Sequence, residues 1–183
     1  MKTLIFNGSP RRNGDTAAMI AELKQNLHGE VIELACYREK ISPCVDCRSC
    51  IQKPGCAIPD GMQKYYEILQ DCDCVVIASP VYYSLPTAPL LAVMSRLQTW
   101  FCASRFRKEP VQVKPKRGGM ILSGGGSGSA DPAIDTCRRL LRVMRAKEIG
   151  PMVLSLDTDH VPAAQDADAL AQARALAAFL NAE

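Results

Sequence analysis

The feature that most restricts how this chain can fold is the run Cys74-Val75-Val76-Ile77-Ala78, five successive residues with no polar side chain on either face. A strand half exposed to water alternates polar and apolar residues, whereas one that is apolar on both faces belongs inside a parallel sheet covered by helices on both sides. Parallel neighbours need crossover connections long enough to hold a helix. The rest of the sequence supplies them. Strand-like segments at residues 2–6, 30–35, 119–122 and 152–156 flank this run, and Ser79-Pro80 is expected to end it. Between them Thr16, Ile20, Leu23 and Leu27 recur at helical spacing, with Asp15 placed to cap them. Residues 62–69, 87–101 and 132–147 give further helical patterns, with Pro132 suited to a first turn, and residues 166–181 set Leu170, Ala173, Ala177 and Leu180 on one face.

Five strands alternating with five helices predict an α/β three-layer sandwich: a five-stranded parallel sheet of order 2-1-3-4-5 with helices on both faces, the flavodoxin-like form of a doubly wound sheet. The 183 residues suit one domain spanning 1–183, with a cysteine-rich insertion at about 42–60. A hydrophobic share of 48% and a charged share of 22% argue against disorder, and no apolar run reaches membrane-spanning length. The opening residues lack the pattern of a secretion signal, so the expected location is cytoplasmic. A net charge of +3 is too small to imply nucleic acid or a membrane as partner. Arg138, Arg139, Arg142 and Arg145, placed on one predicted helix, read as a solvated face.

In such a sheet the ligand lies at the carboxyl ends of the strands, and three of those ends carry unusual sequences. After the first strand come Asn7-Gly8-Ser9-Pro10-Arg11-Arg12-Asn13-Gly14-Asp15-Thr16. This turn is rich in donors and opens directly into a helix, whose free N–H groups and partial positive charge favour a phosphate. Ser9, Asn13 and Thr16 offer donors, and Arg11 offers a cation. The turn lacks both the G-x-G-x-x-G of a dinucleotide site and the Gly-Lys-Ser/Thr of a triphosphate loop, which leaves a terminal phosphomonoester. A phosphate-accepting regulator of the same fold would need acidic residues where Asn7 and Ser79 stand. After the third strand, Ser79-Pro80-Val81-Tyr82-Tyr83-Ser84 pairs aromatic surface with hydroxyl and backbone donors, as a flat heteroaromatic ring would require. After the fourth, Ser123, Gly124, Gly125 and Gly126 begin a glycine-serine run that lets backbone approach such a ring closely.

Gly8-Ser9-Pro10-Arg11-Arg12-Asn13-Gly14 with Thr16, followed by Ser79-Pro80-Val81-Tyr82, resembles the NAD(P)H-dependent FMN reductase family, including its iron–sulfur flavoproteins, through nearly the whole chain. The resemblance implies that Ser9, Arg11, Asn13 and Thr16, with Pro10, surround the flavin phosphate. Pro80, Val81, Tyr82 and Tyr83, with Ser79 and Ser84, would contact the ring, and Ser123, Gly124, Gly125 and Gly126 would complete its edge. It implies bound FMN, NAD(P)H as electron donor, and a flavin, quinone, other small molecule or protein as acceptor. A homodimer or homotetramer is implied as well, with the Trp100-Phe101 segment a candidate contact, although packing in the core is an equal use for Trp100.

Nine cysteines are many for this length. Cys44, Cys47, Cys50 and Cys56 form a C-x2-C-x2-C-x5-C run whose three-residue steps suit one corner of a [4Fe-4S] cluster. The alternatives are structural or redox thiols, with Cys44 and Cys47 as a C-x-x-C pair, and zinc, which more often takes two separated knuckles. Cys36, Cys72, Cys74, Cys102 and Cys137 follow no such spacing and read as small core residues. The two histidines, His28 and His160, read as surface residues. No paired carboxylates and no nucleophile with a neighbouring base appear, which disfavours hydrolytic chemistry. The principal rival to a reductase is an electron carrier that joins FMN to a cluster.

Overall fold

The structure is a computed structural model that describes residues 1–126 and 128–182; Ser127, in the loop expected at the ring edge, lies outside the described residues. The chain runs β1 (Lys2–Asn7), α1 (Asp15–Asn26), β2 (Glu30–Ala35), α2 (Ser49–Gln52), α3 (Met62–Asp71), β3 (Cys74–Tyr82), β4 (Leu85–Pro86), α4 (Ala88–Ser95) and α5 (Gln98–Cys102). A π-helical turn (Ala103–Arg107), β5 (Lys116–Ser123), α6 (Asp131–Val143), β6 (Ala146–Ser155), a 3-10 turn (Ala163–Gln165) and α7 (Ala167–Asn181) complete it. The five long strands are parallel and ordered β2-β1-β3-β5-β6, while the short β4 pairs antiparallel with β3. This is the expected flavodoxin-like sheet.

Alternation along the strands builds two cores. Leu4 and Phe6 of β1 and Val75 and Ile77 of β3 face a layer formed by α3, α4 and α6. Ile5, Val76 and Ala78 point the other way, against α1 and α7. The doubly apolar run therefore sits at the centre, 0% exposed from Val75 to Ala78, and both faces are covered.

Several boundaries differ from the sequence reading. Ser79-Pro80 does not end the third strand, which continues to Tyr82 with Ser79 opposite Leu122 and Pro80 opposite Ser123. The Gly8 amide donates to the Ala78 carbonyl at 2.7 Å, so by alternation Pro80 also faces β1, whose pairing has already ended at Asn7. Its missing N–H costs nothing there. Asp15 does not cap α1. Gly14 holds that position without a side-chain cap, and Asp15 instead accepts from the Ala163 amide at 3.1 Å. The third predicted helix is broken at Arg96 and Leu97, and its continuation widens into the π-helical turn.

The helix expected to reach residue 147 stops at Val143, because Arg145 turns the chain with φ +67° and Lys147 is already in β6. Arg145 therefore leaves the helix face shared by Arg138, Arg139 and Arg142. Trp100 is 8% exposed and belongs to the core, whereas its neighbour Phe101 is 53% exposed. Among the described residues, no helix is long and apolar enough to cross a membrane.

At the last helix, Asp166 is the N-cap. It accepts from the Ala169 amide at 3.0 Å and from the Ser155 hydroxyl at 2.8 Å, which fastens α7 to the end of β6. Replacing Asp166 with Ala removes both bonds and should lower stability by about 1–2 kcal/mol, read as a lower midpoint in urea denaturation.

Candidate functional site

The carboxyl ends of β1, β3 and β5 meet through side chains that the strands themselves position. Gly8 follows β1, and its carbonyl accepts from the Thr87 hydroxyl at 2.8 Å. The Thr87 amide donates to Ser79 Oγ at 3.1 Å, and that hydroxyl donates to the Pro80 carbonyl at 2.7 Å. A Cβ at Gly8 would lie 2.9 Å from Thr87 Oγ1 and 3.0 Å from Leu90 Cβ, so any larger residue there would have to displace them. Ser79 and Pro80 are thus buried fasteners between loops, while Val81 to Ser84 form the accessible part of that segment.

In the first loop, Asn7 Oδ1 accepts from the Ser9 amide at 2.8 Å, and Ser9 Oγ accepts from the Arg11 amide at 3.3 Å. These bonds curl the chain into the N-terminus of α1, which no side chain caps. Thr16, on the first turn, has its hydroxyl 2.8 Å from Ser123 Oγ at the end of β5, and both are buried. Ser9 and Thr16 therefore stand inside the site. Pro10, Arg11 and Asn13 are exposed at its rim, with Arg11 paired to Asp15 at 3.0 Å.

The third loop is tighter than the sequence reading allowed. Tyr82 pairs with Leu85 across a two-residue hairpin whose tip, Tyr83 and Ser84, has φ +50° and +61°. Positive φ at both central residues defines a type I′ turn, in which asparagine and glycine are the usual occupants. Tyrosine and serine there hold a strained backbone. Tyr83 is 101% exposed and Tyr82 47%. Val81 to Ser84 and Gly124 to Gly126 line one cleft of about 470 Å³, with Leu156 on its wall. Arg11, Asn13 and Gly14 line a second cleft, of about 620 Å³, with Thr158 and Pro162. The two share a wall, because the Thr158 amide and hydroxyl donate to the Gly124 carbonyl at 2.9 and 3.0 Å.

The fifth strand end also contributes, which the sequence reading missed. Gly126 has φ +108°, and a Cβ there would lie 2.6 Å from Asp157 Oδ1. Asp157 accepts from His160 Nδ1 at 2.6 Å and raises that imidazole's pKa, while His160 itself stays on the surface. The available signal was a cluster of Asp157, Thr158, Asp159 and His160 directly after a strand.

The cysteine loop stands apart from these clefts. Cys44, Cys47, Cys50 and Cys56 line one cavity of about 340 Å³ together with Arg96, Phe101 and Cys102. Cys102 is buried as expected, but it also lies against Cys50, whose thiol is pushed up to about 11 by burial and by that neighbour. Cys47 is exposed, and the backbone amide and hydroxyl of Ser49 pull its thiol below the ordinary value. Burial pushes Cys36 and Cys137 up to about 12 and Cys72 up to about 11, which keeps these core thiols protonated.

The loop is held by bonds that use none of the four thiols. The Cys44 amide donates to Ser95 Oγ at 2.9 Å, Gln63 donates to the Cys56 carbonyl at 3.0 Å, and Arg107 donates to the Cys50 carbonyl. The four thiols line one cavity wall, with Cys47 beside the Ser49 amide and hydroxyl and Cys50 against Cys102, a donor set that suits a sulfur-bound cluster in chemistry. Among the described residues, no three His, Cys, Asp or Glu side chains converge closely enough to share one ion. A cluster would therefore require the loop to draw its sulfurs together.

Asp60 closes the base of this loop, accepting from the Ser42 and Met62 amides at 2.9 and 3.0 Å and from Arg96 at 2.6 Å. Burial pushes its carboxyl up, but the Arg96 guanidinium and the two amides outweigh that and hold it below the usual value. Its contribution to stability is complete above the unfolded carboxylate value of about 3.9 and is lost as pH falls through the lower folded-state value. Asp60→Asn should cost about 1–3 kcal/mol at pH 7 and flatten the dependence of stability on pH below about 4, measured by urea denaturation across that range.

The family profile described as NADPH-dependent FMN reductase matches residues 1–161. An iron–sulfur flavoprotein of Archaeoglobus fulgidus is 29% identical over 153 residues, covering 82% of this chain and 66% of that protein. An iron–sulfur flavoprotein of Methanocaldococcus jannaschii is 33% identical over 140 residues, covering 74% and 68%. The chain thus spans about two thirds of the length of these relatives. In three dimensions, the NAD(P)H:quinone oxidoreductase from Methanothermobacter marburgensis superposes with a TM-score of 0.75 over 100% of this chain and 97% of that one, at 15% identity. That likeness concerns the fold.

Proposed function

The chain belongs to the NADPH-dependent FMN reductase family, and on that footing we propose that it is an FMN-dependent oxidoreductase passing electrons from NAD(P)H to a flavin, quinone or other acceptor. The observation that carries this reading is the buried contact of Thr16 with Ser123 at 2.8 Å. It brings the uncapped start of α1 beside the end of β5, so an anion site and a ring-sized cleft share one rim.

On this reading the amides of the first turn of α1, with the Ser9 and Thr16 hydroxyls, bind the phosphate, since backbone N–H groups at a helix start favour an anion. Arg11 sits too far into solvent to form the floor of the site and acts as a screen at its mouth. Gly124 to Gly126 and Val81 to Ser84 flank the ring, and the rigid I′ tip holds Tyr83 beside the cleft opening. FMN, when bound, supplies a ring nitrogen that accepts hydride and a reduced ring that gives up electrons singly or in pairs. The protein supplies position and polarity, with no side-chain acid or base required in reach of that ring. The acceptor is a small molecule or a protein, and the assembly is a homodimer or homotetramer in which exposed Phe101 and Phe106, in edge-to-face contact at 6.1 Å, face a neighbour.

A second reading adds an iron–sulfur centre. It is favoured by the four loop cysteines lining one cavity while their backbone is held by other groups. Cys44, Cys47, Cys50 and Cys56 would hold a [4Fe-4S] cluster that supplies single-electron transfer, as the names of the iron–sulfur flavoprotein relatives suggest. The chain would then act as a carrier between FMN and a protein partner.

Replacing Ser9 with Ala or Thr16 with Val removes a hydroxyl from the phosphate site. Each change should weaken FMN binding about tenfold or more, which corresponds to one charge-assisted hydrogen bond. Titration of the apoprotein with FMN, followed by quenching of flavin fluorescence, measures this. Affinities equal to that of the unaltered protein in both variants would refute the phosphate assignment. Arg11→Glu should weaken binding less, through charge alone.

A further inference from the structure

One strongly basic hollow has no part in the function so far described. On the side of β1 away from β3, Asn7, Arg12, Lys24, Glu33 and Arg38 line a cleft of about 420 Å³ between α1 and the edge strand β2. Ala17 and Ala21, one helical turn apart on α1, leave room there that longer side chains would fill. Three cations face one carboxylate, and that carboxylate is already engaged: Glu33 accepts from the Asn7 side-chain amide at 2.8 Å and from Lys24. Among the described residues, neither the Arg12 nor the Arg38 guanidinium has a hydrogen-bond or ion-pair partner. The loop into α1 carries Arg12, and Arg38 stands in a turn after β2 where its amide donates to the Ala35 carbonyl at 2.8 Å. Two unpaired guanidiniums in one concavity repel each other unless an anion joins them, and a phosphate dianion matches both in charge and in fork geometry.

The position of the hollow narrows the anion. Arg12, Ala17 and Ala21 also line the cleft that holds Arg11, Asn13 and Gly14, and that cleft shares a wall with the ring cleft through Thr158 and Gly124. A continuous surface path therefore runs from the ring cleft past the start of α1 to the basic hollow. A dinucleotide that sets its nicotinamide on a flavin ring must lay its adenosine end elsewhere, and this path offers it a course. The two pyridine dinucleotides differ only at that end, by a phosphomonoester on the adenosine ribose, which arginine accommodates. The flavin phosphate does not need these groups, since its donors are the first-turn amides of α1 and the Ser9 and Thr16 hydroxyls, buried on the side of Ser123.

We propose that Arg12 and Arg38, with Lys24 adding charge, bind the ribose 2′-phosphate of NADPH and so select it over NADH. This rests on the oxidoreductase reading and assigns the donor that the reading leaves open.

The test uses the full chain with FMN bound, in unaltered form and as Arg12→Ala, Arg38→Ala and the double variant. Steady-state oxidation of NADPH and of NADH gives kcat and KM for each donor, and FMN affinity checks the flavin site. Calorimetry compares adenosine 2′,5′-bisphosphate with 5′-AMP and with inorganic phosphate. Each single variant should raise KM for NADPH about tenfold, the loss of one charge-assisted hydrogen bond, and leave KM for NADH within about twofold. The unaltered protein should bind the bisphosphate at least about tenfold more tightly than 5′-AMP, and the double variant should erase that difference. Equal KM for the two donors in the unaltered protein, or the same proportional rise for both in the variants, would overturn the phosphate assignment and leave the oxidoreductase reading in place. Inorganic phosphate bound as tightly as the bisphosphate would reduce the hollow to an unselective anion site, and weakened FMN binding in either single variant would return that arginine to the flavin phosphate; each result overturns the proposal. Should neither donor reduce bound FMN, the oxidoreductase reading itself fails and the proposal falls with it.

Discussion

The hydrogen bond from the Gly8 amide to the Ala78 carbonyl, at 2.7 Å, is the last rung between the first and third strands, and the site is built outward from it. Beyond that rung β3 has an open side, which admits Pro80 and lets the strand run on into its hairpin. Thr87 then reaches across the gap to the Gly8 carbonyl and fixes the start of α4 at the same point. A side chain at position 8 would press on Thr87 Oγ1, Leu90 Cβ and Ser79 Oγ, the side chains that close this junction. One glycine therefore sets how closely the first and third loops approach.

From this junction the protein builds two separate scaffolds. The loops after β1, β3, β5 and β6 are joined by hydroxyls and carbonyls: Thr16 to Ser123, Thr158 to Gly124 and Ser155 to Asp166. Short polar links of this kind tie together the loops that line the two clefts. The cysteine loop is anchored instead by long cationic and amide side chains, Arg96, Arg107 and Gln63, all donating to carbonyls. Such anchors fix the path of the loop through its backbone. Strain is also concentrated outside the cores, at Tyr83 and Ser84 on the hairpin tip and at Asp46 and Arg48 between cysteines, all with positive φ.

The nine thiols fall into two populations by environment. Burial raises the pKa of the core thiols Cys36, Cys72, Cys74 and Cys137, and the thiols of the loop sit at the surface or along a cavity. Cys102 belongs to both, because the π-helical turn that follows α5 leaves it buried yet facing the loop. Nothing in its local spacing marks it out. Its position depends on the break at Arg96, which is itself fixed by the clasp on Ser42 and Asp60.

The sequence by itself determined the architecture. A strand apolar on both faces, with helical periods between strands, leaves little besides a covered parallel sheet, whose five-strand doubly wound form carries the order 2-1-3-4-5. It also picked out the donor-rich loop after β1 and the cysteine run, because both depend on residue types close together in the chain. Tertiary structure alone decided which of those residues are usable. Ser79 was turned into a fastener, Arg11 was carried to the rim, and Trp100 was drawn into the core, while Asp157, Arg96 and Cys102 were brought in from distant segments. Periodicity reports which face of an element is buried, but the partners of a polar side chain are set by contacts such as Arg96 with Asp60 and Thr16 with Ser123, 36 and 107 positions apart. No local pattern encodes those contacts.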